Sequence, residues 1–222
     1  MLATIEAETT LKTYQQYIDG TWVDAKDGAT YDSEKPVTGL PWARVPNSSI
    51  EDVDKAVSAA AKAFDKGLGV WPSMLPQDRA RCLRRLADII EKRGADVAIL
   101  ESTDNGKLLA EHAQQWVLAV ELLHYWAGMA DKVDGRVIHA PMPYSTAGMP
   151  IPDSFAYTRK EPVGVVAAIL PWNSPGIQTL FKLGPSLAVG CTMVAKPSEH
   201  TPVSMLELAK LVEEADFPPG VF

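Results

Sequence analysis

Apolar positions along this chain change rhythm twice. Over residues 17–46 they form short extended runs, Tyr17-Ile18-Asp19-Gly20-Thr21-Trp22-Val23 and Trp42-Ala43-Arg44-Val45-Pro46, parted by turn residues, which predicts a small β arm. Helical spacing then takes over. Ser49-Ile50-Glu51-Asp52 has the form of a capping box, and Val53, Ala56, Val57, Ala60, Ala61 and Phe64 follow at i, i+3, i+4, i+7 as the stripe of an amphipathic helix. A second helix is expected from Pro76, with Leu83, Leu86, Ala87 and Ile90 facing inward and Gly94 ending it. A short third helix over 95–103 should stop at Asp104-Asn105-Gly106, and a long fourth over 108–132 should bury Trp116, Val117, Val120, Leu123 and Ala127.

The last third reads differently. Val163-Gly164-Val165-Val166-Ala167-Ala168-Ile169-Leu170 is an unbroken apolar run of strand length, the pattern of a strand covered on both faces. Pro171-Trp172-Asn173-Ser174-Pro175 interrupts it, a helix is expected over 176–189, and a second buried strand follows over 192–195. After a loop at 196–200, Thr201-Pro202 opens another helix. Crossovers of this length require parallel strands and right-handed connections, so the expected class is α/β, a Rossmann-like parallel sheet with flanking helices. Both interrupting loops then leave the carboxyl ends of neighbouring strands, the edge where open α/β sheets bind ligands.

Composition narrows the partners. Twenty-one Lys+Arg against 28 Asp+Glu give a net charge of −7, which repels nucleic acid and anionic lipid. No run approaches the ~20 apolar residues a bilayer core demands, and residues 1–16 lack an apolar signal core. A cytoplasmic location with no membrane partner is therefore expected. Two cysteines, Cys82 and Cys191, are too few for a disulfide framework or a zinc site, and no His pair has ligand spacing, so no metal is expected.

Candidate chemistry sits on the two loops. Asn173 lies between prolines directly after a strand, so its amide is held rigidly enough to stabilise a developing oxyanion; a lone Asn-x-Pro is nevertheless more often a helix cap. Lys196 and Glu199 are spaced to take the two hydroxyls of a ribose, or else form a solvated ion pair at a helix entrance. Neither G-x-G-x-x-G nor a P-loop occurs. Arginines near Cys82 could depress its thiol pKa, although packing is the commoner role, and Cys191 is expected at the strand end remote from Asn173. His124, His139 and His200 are of a kind more often surface or satisfied than catalytic.

Taken together, Pro171-Trp172-Asn173-Ser174-Pro175, Lys182-Leu183-Gly184-Pro185-Ser186-Leu187-Ala188-Val189-Gly190 and Lys196-Pro197-Ser198-Glu199-His200-Thr201-Pro202 closely resemble the NAD(P)-dependent aldehyde dehydrogenase superfamily. Agreement extends to Asp104-Asn105-Gly106-Lys107, Tyr125-Trp126-Ala127-Gly128 and Phe217-Pro218-Pro219-Gly220-Val221-Phe222. The resemblance implies oxidation of a small-molecule aldehyde to a carboxylic acid, with Asn173 donating to the aldehyde oxygen as a cysteine thiolate attacks and hydride passes to the nicotinamide. It also implies cofactor contacts from Ile169, Leu170, Pro171, Trp172, Lys196, Ser198 and Glu199, with NAD preferred over NADP because Glu199 would repel a 2′-phosphate. Ser174, Ile177, Gln178 and Phe181 would border the aldehyde tunnel, and Ser174, where the family usually has phenylalanine, suggests a wider and more polar one.

The same resemblance divides the chain into an amino-terminal arm with the helical part of the cofactor domain (1–136), an oligomerisation hairpin (137–160) lengthened by a proline-rich extension over 139–152, and the first β-α-β-α units of the cofactor sheet (161–222). The family's nucleophilic cysteine and base glutamate lie in sequence beyond this chain. It is thus expected to be the amino-terminal portion of a homo-oligomeric enzyme, with an incomplete cofactor domain and no turnover alone. Two other readings stay open: a non-catalytic nucleotide-binding or assembly protein with this partial fold, and a different α/β enzyme using Cys82 or Cys191.

Overall fold

The structure, a computed structural model, describes residues 11–139 and 155–222. The arm forms as two small sheets. In one, β1 (Lys12–Thr13) runs parallel to β5 (Leu40–Pro46), whose other edge carries β4 (Thr30–Lys35) antiparallel; in the other, β2 (Gln16–Ile18) and β3 (Thr21–Val23) make a hairpin. Tyr14, Trp42, Ala43 and Val45 bury beneath the arm as a small second core with Val203.

Ser49 caps α1 (Ile50–Phe64) by the expected box: its hydroxyl accepts the Asp52 N–H, and the Asp52 carboxylate accepts the Ser49 N–H at 2.9 Å. The same carboxylate takes the Lys26 N–H at 3.1 Å, fastening the arm to the helix. Of the expected stripe Ala60 is buried, but Val53 and Val57 are 51% and 43% exposed, and Ala59 and Ala63 take their place in the core. Small side chains allow the close approach that the bond from Thr192 Oγ1 to the Ala60 carbonyl, 2.9 Å, requires. Burial alone would raise the Asp52 pKa, but the Ser49 and Lys26 N–H groups outweigh it and hold the carboxyl well below the aspartate range. Its stabilisation is therefore complete above the ordinary value of about 4 and fades as pH falls below it. We expect Asp52→Asn to lose about 1–2 kcal/mol at neutral pH and to show a shallower decline in urea-measured stability on acidification.

After the four-residue α2 (Val70–Ser73), α3 runs unbroken over Pro76–Asn105. Gly94 does not end a helix, and the expected third helix is the carboxyl part of α3. A Cβ at Gly94 would lie 3.1 Å from the Trp116 Cβ, so the glycine admits close packing against α4 (Leu109–Met129) rather than a stop. The true stop is Gly106, left-handed at φ 73°. On α4, Trp116, Leu123 and Ala127 are buried as expected, whereas Val117 points outward, 69% exposed, because the stripe continues through Ala119 instead.

Strands β6 (Val137–His139) and β7 (Phe155–Tyr157) pair antiparallel, as a hairpin should. Residues 140–152 of the expected extension lie outside the described residues. Beyond it, β8 (Val165–Ile169) and β9 (Thr192–Lys196) pair parallel, Val165 opposite Thr192 and Ile169 opposite Lys196, joined through α5 (Pro175–Ala188) and followed by α6 (Val203–Glu214). Among the described residues β8 is covered on one face only. Ala168 packs into the main core with Leu170 and Met193, while Ala167 and Ile169 line an open cleft and Ile169 is 79% exposed. An apolar run states that a strand can be covered, not what covers it. Among the described residues no helix is long and apolar enough to cross a membrane.

Candidate functional site

Pairing of β8 with β9 continues one step beyond the strands, where the Leu170 N–H donates to the Lys196 carbonyl at 3.0 Å. The chain then turns outward through Pro171 and Trp172 to Asn173. Its backbone is gripped from several sides: Asn105 Nδ2 reaches the Asn173 carbonyl at 3.3 Å and the Ser174 hydroxyl donates to it at 2.6 Å. Ser174 Oγ in turn accepts from Lys107 Nζ at 3.1 Å and Gln115 Nε2 at 3.2 Å. Ser174, not Asn173, occupies the cap position of α5, and no side-chain cap bond forms there. The helix-cap reading of Asn173 is therefore not realised. Its carboxamide is exposed and has no hydrogen-bond partner among the described residues.

Helix α5, which carries this loop, is held at both ends. At its start the Gly176 N–H donates to Glu101 Oε1 at 2.9 Å. At its finish Trp71 Nε1 donates to the Leu187 carbonyl at 3.0 Å and the buried Arg79 guanidinium to the Ala188 carbonyl at 3.2 Å, a cation where a helix's unsatisfied carbonyls favour one. Fixing both termini fixes the direction in which Asn173 leaves the sheet.

The second loop lies beside the first. Thr201 Oγ1 donates to the Trp172 carbonyl at 3.2 Å, tying the two together at the strands' carboxyl edge. Among the described residues Lys196 Nζ reaches only the neighbouring Pro197 carbonyl, 3.0 Å away, and Glu199 stands exposed with His200 at 4.0 Å. Its own backbone N–H, then the charges of His200 and Lys196, hold the Glu199 carboxyl below its usual range, so it is an anion at neutral pH. Ile169, Lys196 and Glu199 all line an open cleft of about 700 Å³ between the sheet, α1 and α6. Tyr31 on its wall is pushed up to about 12 by burial, then by the Asp104 and Glu199 charges, and so keeps its phenolic proton.

The remaining candidates are dispersed. The Leu170 side chain is buried in the core, leaving only its backbone to offer, and Pro171, Trp172, Asn173 and Ser198 stand outside the cleft lining. Ser174 and Ile177 are buried, Gln178 is half-buried, and Phe181 is 40% exposed.

The aldehyde dehydrogenase family profile matches residues 22–222. This chain belongs to the aldehyde dehydrogenase family. It is 43% identical over 209 residues to the mitochondrial aldehyde dehydrogenase of Mesocricetus auratus, covering 93% of this chain and 39% of that protein. Among solved structures it resembles an NAD+ complex of the Bacillus cereus aldehyde dehydrogenase, with 39% identity and a TM-score of 0.85 over 95% of this chain and 40% of that one. An NAD+ complex of a Staphylococcus aureus betaine aldehyde dehydrogenase mutant gives 37% identity and a TM-score of 0.84, covering 93% and 39% of the two chains. The fold is thus part of the Rossmann-like aldehyde dehydrogenase architecture, and the chain spans about two fifths of the length of these relatives.

Within that family setting neither cysteine resembles a nucleophile. Cys82 and Cys191 are both buried, and burial pushes the Cys82 thiol up despite Arg85 at 3.2 Å. Residues not anticipated from sequence are Glu101, Asp104 and His112, all buried, which hold the two loops from behind. One signal was available: Ile90, Gly94, Val97, Glu101 and Asp104 share a single helical face at alternating spacings of four and three, placing two carboxylates on an otherwise apolar stripe.

Proposed function

We propose that this chain supplies the cofactor-gripping and oxyanion-stabilising portion of an enzyme that oxidises an aldehyde to its carboxylic acid, with NAD as the hydride acceptor. The observation carrying this reading is an exposed Asn173 carboxamide, without a partner among the described residues, on a clamped loop tied through Thr201 to the loop bearing Lys196 and Glu199. NAD, when bound, supplies the electron-pair acceptor. The residues fit such a group: an apolar strand face beside one ammonium and one carboxylate suits a ribose whose hydroxyls donate to Glu199 and accept from Lys196. An ionised Glu199 disfavours a 2′-phosphate.

Asn173 would donate its N–H to the aldehyde oxygen as negative charge develops there, an interaction typically worth about 2.7–4 kcal/mol in the transition state. Ser174, Ile177, Gln178 and Phe181 would border the aldehyde's path. Because the Ser174 hydroxyl is already engaged by Lys107, Gln115 and Asn173, its contribution there is space rather than polarity. With both thiols buried, the nucleophile must come from outside this chain, as must the homo-oligomer partners the hairpin would meet.

Calorimetric titration of the purified chain with NAD and NADP, alongside an aldehyde panel, tests the reading. NAD should bind more tightly than NADP without turnover. Lys196→Ala and Glu199→Ala should each weaken NAD about tenfold, an effect of about 1.4 kcal/mol, and Glu199→Gln should narrow the gap between the two cofactors. Undetectable binding, or affinities indifferent to both residues, would overturn it.

A further inference from the structure

Behind the Asn173 loop lies a buried polar cluster that the proposed reaction does not use. Glu101 on α3 and His112 on α4 are 1% and 0% exposed, and His112 Nδ1 lies 3.3 Å from Glu101 Oε2. The other imidazole nitrogen, Nε2, is 3.0 Å from Asn105 Oδ1. Backbone groups fix which way the Asn105 amide points: Oδ1 accepts the Lys107 N–H at 2.9 Å, and Nδ2 donates to the Asn173 carbonyl at 3.3 Å. Oδ1 can only accept, so Nε2 of His112 must carry hydrogen.

That assignment constrains the other side of the ring. Glu101 already accepts the Gly176 N–H on Oε1 and the Trp116 indole N–H on Oε2, each at 2.9 Å. With no proton between Glu101 and His112, a carboxylate lone pair would face the imidazole lone pair. With two, the second proton would have to sit on a carboxyl oxygen that already faces an N–H. Among the described residues Nδ1 has no hydrogen-bond partner, and Glu101 Oε2 approaches it at ion-pair distance, so a single proton placed between the two is what would satisfy this buried nitrogen.

We infer that Glu101 and His112 share one proton and, with Asn105, form a positioning relay that fixes the Asn173 carbonyl and hence the aim of its carboxamide. The importance of that aim rests on the oxyanion role proposed above. Glu101 and His112 are buried and reach Asn173 only through Asn105, which holds its backbone carbonyl, so the three are assigned a positioning role rather than a catalytic one. Every element packed around the pair contributes to its electrostatics: Asp104 on α3, Lys107 in the connecting loop, Glu111, Gln115 and Trp116 on α4, and the Gly176 N–H at the start of α5. Burial dominates on both sides, raising Glu101 and lowering His112, in keeping with a neutral imidazole beside a protonated carboxyl.

Nitrogen NMR of the 222-residue chain, labelled at histidine and asparagine side chains and free of cofactor and aldehyde, tests the relay. His112 should be protonated at Nε2, and the Asn173 carboxamide signals should follow pH with the midpoint of the His112 signals. His112→Leu should displace the Asn173 signals and remove their pH response. His112→Gln, which keeps a donor towards Asn105 but cannot titrate, should restore their position without the response. Glu101→Gln provides the same comparison should His112→Leu fail to fold. An unprotonated Nε2, or Asn173 signals indifferent to these substitutions in folded chains, would overturn the relay. Since no ligand is present, that result is distinct from failure to bind NAD, which would count against the dehydrogenase reading alone.

Discussion

Asp104→Ala is expected to cost about 3–5 kcal/mol of folding free energy, because it strands buried donors from three separate elements. The carboxylate, fully buried, accepts from Ser33 Oγ at 2.6 Å, Trp42 Nε1 at 3.1 Å and the Val203 N–H at 3.0 Å. It therefore joins the β arm to α3 and closes the first turn of α6, directly after the loop that carries Lys196 and Glu199. The Trp42 and Val203 donors have no rotational escape, and each leaves a desolvation penalty behind. For a domain of this size such a loss corresponds to a fall in melting temperature of about 10–15 °C, measurable by calorimetry. Asp104→Asn should fall between the two, since its carboxamide keeps an acceptor but turns an N–H towards one of the donors. A melting temperature unchanged in the alanine variant would show that these bonds are easily replaced by water.

Gly176→Ala should remove about 3 kcal/mol and displace the start of α5. A Cβ there would sit 2.5 Å from Trp116 Cζ2 and 3.1 Å from Glu101 Oε2, and an indole ring buried between helices cannot move aside. The clash lies three residues from Asn173, so the variant should lose stability and disturb the Asn173 carboxamide together. Combining it with Trp116→Phe, which deletes the clashing half of the indole, should cost less than the sum of the two single variants, a coupling a double-mutant cycle reads directly. Strict additivity would mean that the ring is not what excludes the methyl group.

The features legible in the sequence are those written in consecutive residues. The Ser49 capping box, the stop at Gly106, the strand-loop-helix-strand order from Val165 to Lys196 and its parallel pairing each depend on neighbours within a turn, a strand or one crossover. Motif order carried the family resemblance for the same reason. Features that depend on what lies opposite were read less well. Gly94 resembles a helix stop until Trp116 is seen against it, and Val53, Val57 and Val117 resemble core until alanines are found to make the closer contact.

By itself the sequence determined the β arm, the capped α1, the β-α-β-α order of the last third and the two loops at one sheet edge, because short-range periodicity, caps and crossover lengths act locally. Only the tertiary structure decided how those loops are held. Asp104 meets partners 71 and 99 residues away, and Glu101 reaches the Gly176 N–H across 75 residues, separations over which no local pattern records a hydrogen bond. A buried carboxylate is tolerated only where distant donors converge on it, and that convergence is a property of the folded packing.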